Sequence, residues 1–342
     1  MSSLRFGLSG CGQRGADVVA AVRSHSHCEL VALHDPDPAQ LTRLGEAAGI
    51  RSRYVDFDAM LHSGIDFVVL ANPCGDRLAQ VLAAAAQGVH CLVHAPMAPD
   101  ARTADAMVSA CDRAGVKLGV ANMSQGDSRL EQVRRMIADD WLGTVVSIHA
   151  MTACDRVLKS PPEASHWLRD PARAGRGTLL QLAAESLHVA VWLTERAPLA
   201  AAALSSTGFT ALSEDAAVAA VRLRGGALCT FASSRLCIGR SLSIHGTDGS
   251  ACLTPDEVTL VGRKAFAGDS FDYQEPGVPL RLSTTSSNDP LLDHFELHGR
   301  FARWIDDRDD FPCPGDQAAL DMRALDAMQR SIETGRTETI LP

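Results

Sequence analysis

The sequence predicts an α/β protein. An N-terminal doubly wound parallel sheet is followed by an α/β domain with a mostly antiparallel, open sheet. Three observations carry this reading. Through residue 122, short apolar runs alternate strictly with amphipathic helical segments, the pattern of strands covered on both faces by helices. Beyond it, strand-like stretches follow one another across short Gly and Asp turns, as in an antiparallel sheet. The chain's 342 residues amount to about two domains at roughly 150 residues each, and we divide them as 1–122 and 123–342.

The elements follow in order. Residues 4–9 form a first strand, and the glycine run Gly10–Gly15 leads into a helix whose apolar face is Val18, Val19, Ala21 and Val22. Glu29–Asp35 is a second strand that ends on an acid, and a helix opens at Pro38, a residue suited to a first helical turn, and runs to Ala48. Phe67–Ala71, Val89–Val93 and Val116–Val120 are further buried strands, separated by helices at Asp76–Ala85 and Ala101–Ala114. Then come a helix at 128–139, strands at 145–151, 199–206, 216–223, 227–234, 242–246 and 251–253, and helices at 177–194, 289–307 and 317–331. Residues 266–290 are rich in Gly, Pro, Ser and Asp and read as a surface loop. The closing helices are free to pack back on the first domain.

Composition narrows the function. With 46% hydrophobic and 21% charged residues the chain is not disordered, and it is long enough to bury a core without disulfides or metal as staples. A net charge of −9 argues against a nucleic-acid surface. No run approaches the roughly 18 apolar residues of a membrane span. Met1–Phe6 lacks the apolar core of a secretory signal, and the ten cysteines are scattered with no C-x-x-C spacing. A reducing, cytoplasmic setting is therefore expected. No Gly-x-Ser-x-Gly elbow supports a nucleophilic triad.

Gly10-Cys11-Gly12-Gln13-Arg14-Gly15 stands between a strand and a helix. In that context the first glycine makes the tight turn, the second lets a pyrophosphate approach the backbone, and the third lets helix and strand pack closely. The helix N-terminus offers free N–H groups to the phosphates. Asp35 lies 20 residues beyond Gly15 at the end of the second strand. A carboxylate there bonds both ribose hydroxyls and repels a 2′-phosphate, which selects NAD over NADP. The first domain is thus read as a Rossmann domain, the competing reading being a turn glycine set with Asp35 as a helix cap.

These residues, with Ala71-Asn72-Pro73, Gly88–Pro96, Gly115–Val120, Leu142–Ser147, Trp167–Pro171, Gly175–Leu180 and His245–Ser250, resemble the glucose–fructose oxidoreductase/inositol dehydrogenase family (Gfo/Idh/MocA) over nearly the whole chain. The resemblance implies NAD(P) bound by the first domain, and a sugar, cyclitol or similar polyol bound against the open sheet of the second. It also implies self-association, as a homodimer or homotetramer, through that sheet. It puts Asn72, Pro73, His94, Ala95 and Asn122 beside the glycine loop at the cofactor, and Trp167 near nicotinamide or substrate.

The chemistry departs from the resemblance. Where the family carries Glu-Lys-Pro after the fourth strand, this chain has His94-Ala95-Pro96. Where it carries Asp-x-x-x-His on the helix after the glycine run, this chain has Gln181 and Glu185. Ala95 moves no proton and Gln181 does not titrate. Gln181 and Glu185 are spaced i, i+4 and share a helix face, with His188 three residues on. Two readings stay open. Glu185, partly desolvated, takes over acid/base work, with His94 or His188 as further candidates; or Gln181 and Glu185 line a polar cleft and His188 is structural. Glu185-x-x-His188 has metal-ligand spacing, but a second such helix is missing and no metal is expected. Arg169, Arg173 and Arg176 are either an anion site or solvated loop charges.

The sequence therefore predicts an NAD-dependent oxidoreductase-like protein acting on a sugar-like or other small polar substrate through an altered site. Two alternatives are a non-catalytic dinucleotide-binding sensor or scaffold, and an NAD-assisted lyase or glycosidase without net redox change.

Overall fold

The structure, a computed structural model, describes residues 3–22, 27–155, 167, 170–207, 214–262, 280–282 and 290–341. In chain order its elements are β1 (Leu4–Ser9), α1 (Gln13–Val22), β2 (Cys28–His34), α2 (Pro38–Ala48), β3 (Arg53–Tyr54), α3 (Phe57–Leu61), β4 (Phe67–Leu70), α4 (Arg77–Ala86), β5 (His90–His94), α5 (Ala101–Ala114), β6 (Leu118–Ala121), α6 (Ser128–Ala138) and β7 (Val145–Ala153). There follow α7 (Pro171–Ala174), a π-helical turn Leu179–Ala183 running into α8 (Ala184–Thr194), β8 (Pro198–Ser206), β9 (Ala216–Leu223), β10 (Leu228–Ser234), β11 (Gly239–Gly246), β12 (Gly249–Leu253), β13 (Val258–Gly262), β14 (Leu280–Leu282), α9 (Pro290–Ile305), α10 (Gly315–Thr334) and β15 (Glu338–Thr339). Two compact units result: Met1–Gly126 with Asp170–Gly175 and Asp289–Met322, and Asp127–Arg169 with Arg176–Asn288 and Arg323–Pro342.

The first unit holds the doubly wound sheet, ordered β3-β2-β1-β4-β5-β6 with every pair parallel. Its strands are continuous apolar runs because both faces are covered: Phe67 to Leu70 and Cys91 to Val93 are fully buried. Aspartates start the helices. Asp37, Asp56 and Asp100 each accept a backbone N–H from the first turn of the helix that follows; losing such a cap costs about 1 kcal/mol. Gly49 and Gly115 end α2 and α5 in the left-handed conformation. The β6 edge is covered by the later chain: Val120 N–H donates to Cys313 O at 2.9 Å, and Gly119 lets Phe301 and Phe311 pack against the strand, where a Cβ would meet both at 2.8 Å.

The second unit is built on a sheet ordered β14-β13-β12-β11-β7-β10-β9-β8-β15, antiparallel except for the β7–β10 pair. The π turn and α8 pack on one face, through β7 and β10. On the other face, register sets Leu204 opposite Val218 and Leu228 opposite Arg222. Leu204, Val218 and Leu228 are 71%, 53% and 55% exposed there.

The structure adds elements the sequence does not signal. β3 and α3 are two and five residues long, too short to carry a periodic pattern. β2 stops at His34, so Asp35 is the first residue beyond the strand. Within the stretch read as a surface loop, β14 pairs with β13 at the sheet edge; residues 263–279 and 283–289 lie outside the described residues.

Candidate active site

In the order β3-β2-β1-β4-β5-β6, the chain leaves β1 and β4 in opposite directions, which opens a crevice at their carboxyl ends. Gly10 follows β1 with φ of 101°, and a Cβ on it would meet Asn72 N at 2.7 Å, so the loops after the two strands touch. A Cβ on Gly15 would lie 2.0 Å from Gly10 O, whereas one on Gly12 has nothing within 4 Å. The glycines thus divide the work: two allow backbone to meet backbone, and the exposed middle one leaves space at the N-terminus of α1. Gln13 and Arg14 are exposed on the first turn, Gln13 donating to Asp17 at 3.0 Å. Cys11 is buried and its N–H donates to Asp35 Oδ2 at 2.6 Å. Burial, with Asp35 beside it, pushes the Cys11 thiol up to about 12, so it is no nucleophile.

Asp35 is 9% exposed and also accepts from Asp37 N–H at 2.9 Å through Oδ1. Each carboxylate oxygen is therefore pinned to the loop and keeps a second lone pair for a ribose hydroxyl. The chain is expected to bind NAD(H) more tightly than NADP(H), and Asp35→Asn to narrow that preference by about tenfold, because the amide keeps one acceptor but repels no phosphate. Calorimetric titration of both cofactors decides: equal affinities in the wild type would make Asp35 a loop cap and nothing more.

Asn72 and Pro73 follow β4. Asn72 Nδ2 donates to Gln80 at 2.9 Å, Gln80 donates to Ser9 Oγ at 3.0 Å, and Ser9 meets His34 Nδ1 at 2.8 Å, a polar row beneath the crevice. Asn72 Oδ1 is buried with no hydrogen-bond partner. An orphaned acceptor on the loop after β4 fits a ligand rich in hydroxyl and amide donors, as NAD is. Half-buried Ala95 is linked to β6 by its N–H, which donates to Ala121 O at 3.2 Å, and the Ala95–Pro96 bond is cis. Asn122 is 1% exposed and accepts from Gln125 N–H at 3.0 Å. His94 is 1% exposed, its ring 6.2 Å from that of His298 in the core of this unit.

Of the three arginines considered for an anion site, Arg173 is engaged by Asp76, at 2.8 Å from Nη2 and 3.1 Å from Nε to Oδ2. Gly75 permits this, since a Cβ there would strike Ala172 O at 1.8 Å. Arg176 is exposed and Arg169 lies outside the described residues, as does Leu168.

The second unit carries the other candidates. Gln181 sits in the π turn and Glu185 in the first turn of α8, both half-buried. π turns are rare and recur at functional sites. Glu214 supports this one: its carboxylate fills the space of a Gly177 side chain, with a Cβ only 2.1 Å away, and accepts from Leu179 N–H at 3.4 Å. Glu214, Asp215 and Arg235 are 8%, 0% and 2% exposed. Burial lowers the Arg235 pKa and the two acids oppose that shift, so this is a buried charged cluster. Glu185 Oε1 pairs with Arg240 Nη2 of β11 at 3.3 Å, and Ser186 bonds Thr152 of β7 at 2.9 Å. His188 is 3% exposed on α8, and Trp167 is half-buried. Arg240 and the Glu214–Arg235 support are the residues that sequence reasoning misses. No motif marks them, and Arg240 precedes the stretch that reads as strand. Among the described residues no group of three His, Cys, Asp or Glu is arranged to hold a metal.

Comparison with known proteins agrees with this geometry. Residues 4–122 match the oxidoreductase family with an NAD-binding Rossmann fold, and residues 130–252 match the GFO/IDH/MocA C-terminal domain. A D-apiose dehydrogenase of Paraburkholderia graminis is 36% identical over 138 residues, 40% of this chain and 37% of that protein, so the match spans well under half of the relative. The crystal structure of an oxidoreductase domain protein from Kribbella flavida superposes with a TM-score of 0.89 at 20% identity, covering 100% of both chains. An oxidoreductase from Agrobacterium radiobacter in complex with NAD+, L-tartaric acid and magnesium superposes with a TM-score of 0.84 at 20% identity, covering 99% of both. With both of its domains matched, this chain belongs to the GFO/IDH/MocA oxidoreductases, an NAD-binding family.

Proposed function

We propose that this protein is an NAD-dependent oxidoreductase acting on a sugar-like or other small polar substrate, with Glu185 as its proton-handling group. The observation that carries this is the pair of half-buried Glu185 and exposed Arg240, 3.3 Å apart, with Glu185 on the helix that runs on from the π-helical turn holding Gln181. Bound NAD supplies a hydride acceptor at nicotinamide C4. The chain's own part is to take the hydroxyl proton as the carbon is oxidised, a role Glu185 can fill once substrate lies within hydrogen-bond reach. Arg240 fixes the rotamer of that carboxylate, and Gln181 offers an amide to a second hydroxyl. His94 and His188, almost fully buried, are assigned structural roles in this reading. The name of the D-apiose dehydrogenase relative makes aldoses the first substrates to try.

The test is NAD reduction across aldoses, polyols and hydroxy acids. Turnover of at least one, with ordinary substrates such as myo-inositol or glucose handled poorly, is the expected result. Tight NAD binding with no turnover of any would favour a non-catalytic sensor, the reading that Ala95 and Gln181 support. We also propose that the exposed face bearing Leu204, Val218 and Leu228 is covered by a second copy of the chain, as a homodimer or within a homotetramer. Light scattering that gives a monomer at high concentration removes that assembly. No described helix is long and apolar enough to cross a membrane. The cysteines, most of them buried and none in a disulfide, suit a reducing compartment, and we assign the chain to the cytoplasm.

A further inference from the structure

We propose that Arg77 sets the oxidation-state preference of the cofactor site, favouring NADH, whose nicotinamide is uncharged, over NAD+, whose nicotinamide is cationic. The inference needs cofactor binding and no turnover, so it stands apart from the proposed reaction.

In a doubly wound sheet each half takes one mononucleotide. Asp35 beyond β2 and the glycine loop after β1 assign the adenosine and the pyrophosphate, which leaves the nicotinamide for the carboxyl ends of β4, β5 and β6. Arg77 sits at the carboxyl ends of β4 and β5. It is 4% exposed, and its guanidinium ties them together: Nε and Nη2 donate to Asn72 O at 3.0 and 2.5 Å, and Nη1 donates to Pro96 O at 2.6 Å and to His94 O. Every one of these acceptors is a neutral carbonyl. The carbonyl dipoles satisfy the donors and leave the net charge in place.

The surrounding charges do not cancel it. Asp76 is the carboxylate that acts on Arg77, and Arg173 holds it through two nitrogens. Arg14, on the first turn of α1, adds a second positive charge. Burial, opposed by Cys74 and Asp76 and reinforced by Arg14, brings the Arg77 pKa down to about 10, so the group is still a cation at neutral pH. A buried cation acts through a low effective dielectric and is weakly screened by salt. NAD+ and NADH differ by one positive charge on the ring and share every other contact. A fixed cation at the half of the sheet that would take the nicotinamide would therefore weaken binding of the oxidised form.

The test is the ratio of the dissociation constants for NAD+ and NADH, measured by calorimetry on the whole chain. The wild type is expected to bind NADH about tenfold or more tightly than NAD+, the size a unit charge roughly 10 Å away gives at an effective dielectric near 20. Arg77→Lys, which keeps the charge, should retain most of that ratio. Arg77→Gln, which keeps donors to the carbonyls and drops the charge, should bring it towards unity. If Arg77→Gln does not fold, Asp76→Asn decides. It removes a half-exposed counter-charge and should raise the ratio about two- to threefold. A wild type without NADH preference overturns the proposal. So does a ratio unchanged by Arg77→Gln or, should that variant not fold, by Asp76→Asn.

Discussion

A Gly12→Ala variant is expected to fold with a stability within about 1 kcal/mol of the wild type and to lose NAD affinity by a hundredfold or more, whereas Gly15→Ala should fail to fold stably. The two substitutions add the same methyl group three residues apart on one loop. A Cβ on Gly12 would have nothing within 4 Å, and the backbone there is not left-handed, so alanine fits. What it fills is the space through which a pyrophosphate would reach the N–H groups at the start of α1. At Gly15 the added carbon would lie 2.0 Å from Gly10 O, and backbone cannot give way as a side chain can. Relieving that contact means separating α1 from the end of β1, at a cost of several kcal/mol against a total stability of roughly 5–15 kcal/mol. Thermal unfolding separates the two outcomes. Equal destabilisation by both would remove the division of labour within the loop, and wild-type NAD affinity in Gly12→Ala would place the phosphates elsewhere.

That division is legible in the sequence because glycine spacing encodes backbone geometry directly, and the same holds for much of the first unit. The runs at Phe67–Leu70 and Cys91–Val93 are apolar throughout because both sheet faces are covered, and α2 carries its own start in Asp37-Pro38 and its stop in Gly49. β3 is invisible because its two residues hold no period, and it exists only through pairing with β2. β14 is invisible for the same reason, as a three-residue strand paired with β13 inside a polar, Gly- and Pro-rich stretch. In the second unit the helical region around Gln181 is legible but its π turn is not. The register there is held by Glu214, which lies more than thirty residues further along the chain, against Gly177. Arg240 escapes on similar grounds: its meeting with Glu185 across 55 residues joins a strand to a helix through tertiary packing, and a lone arginine near a turn reads as solvated charge. Arg77 reads as a helix residue near an N-terminus, and nothing local says that its guanidinium is buried among carbonyls.

Glu185→Gln is expected to lower turnover of whatever substrate the protein accepts by about a hundred- to ten-thousand-fold, the usual contribution of a positioned acid/base, while leaving NAD affinity unchanged. The amide keeps the size of the side chain and a hydrogen-bond acceptor but does not take a proton at neutral pH. Retained cofactor affinity is expected because the adenosine and pyrophosphate are assigned to Asp35 and the glycine loop, and Glu185 is part of neither. Arg240→Gln should act in the same direction and more weakly, by about tenfold, since it removes an ion-pair partner 3.3 Å from the carboxylate without removing the carboxylate itself. The order of the two effects is informative. If Arg240→Gln costs more than Glu185→Gln, the guanidinium is the group that meets substrate, and an anionic substrate becomes the better reading. The reverse exchange, Ala95→Lys with Gln181→Asp and Glu185→His, supplies the residues that the family resemblance leads one to expect at these positions and should bring activity on ordinary polyols. Robust wild-type oxidation of an ordinary sugar or cyclitol, untouched by Glu185→Gln, would show that proton transfer runs through some other group. The next residues to replace would then be Arg240, which pairs with Glu185, and Gln181, four residues before it in the π turn.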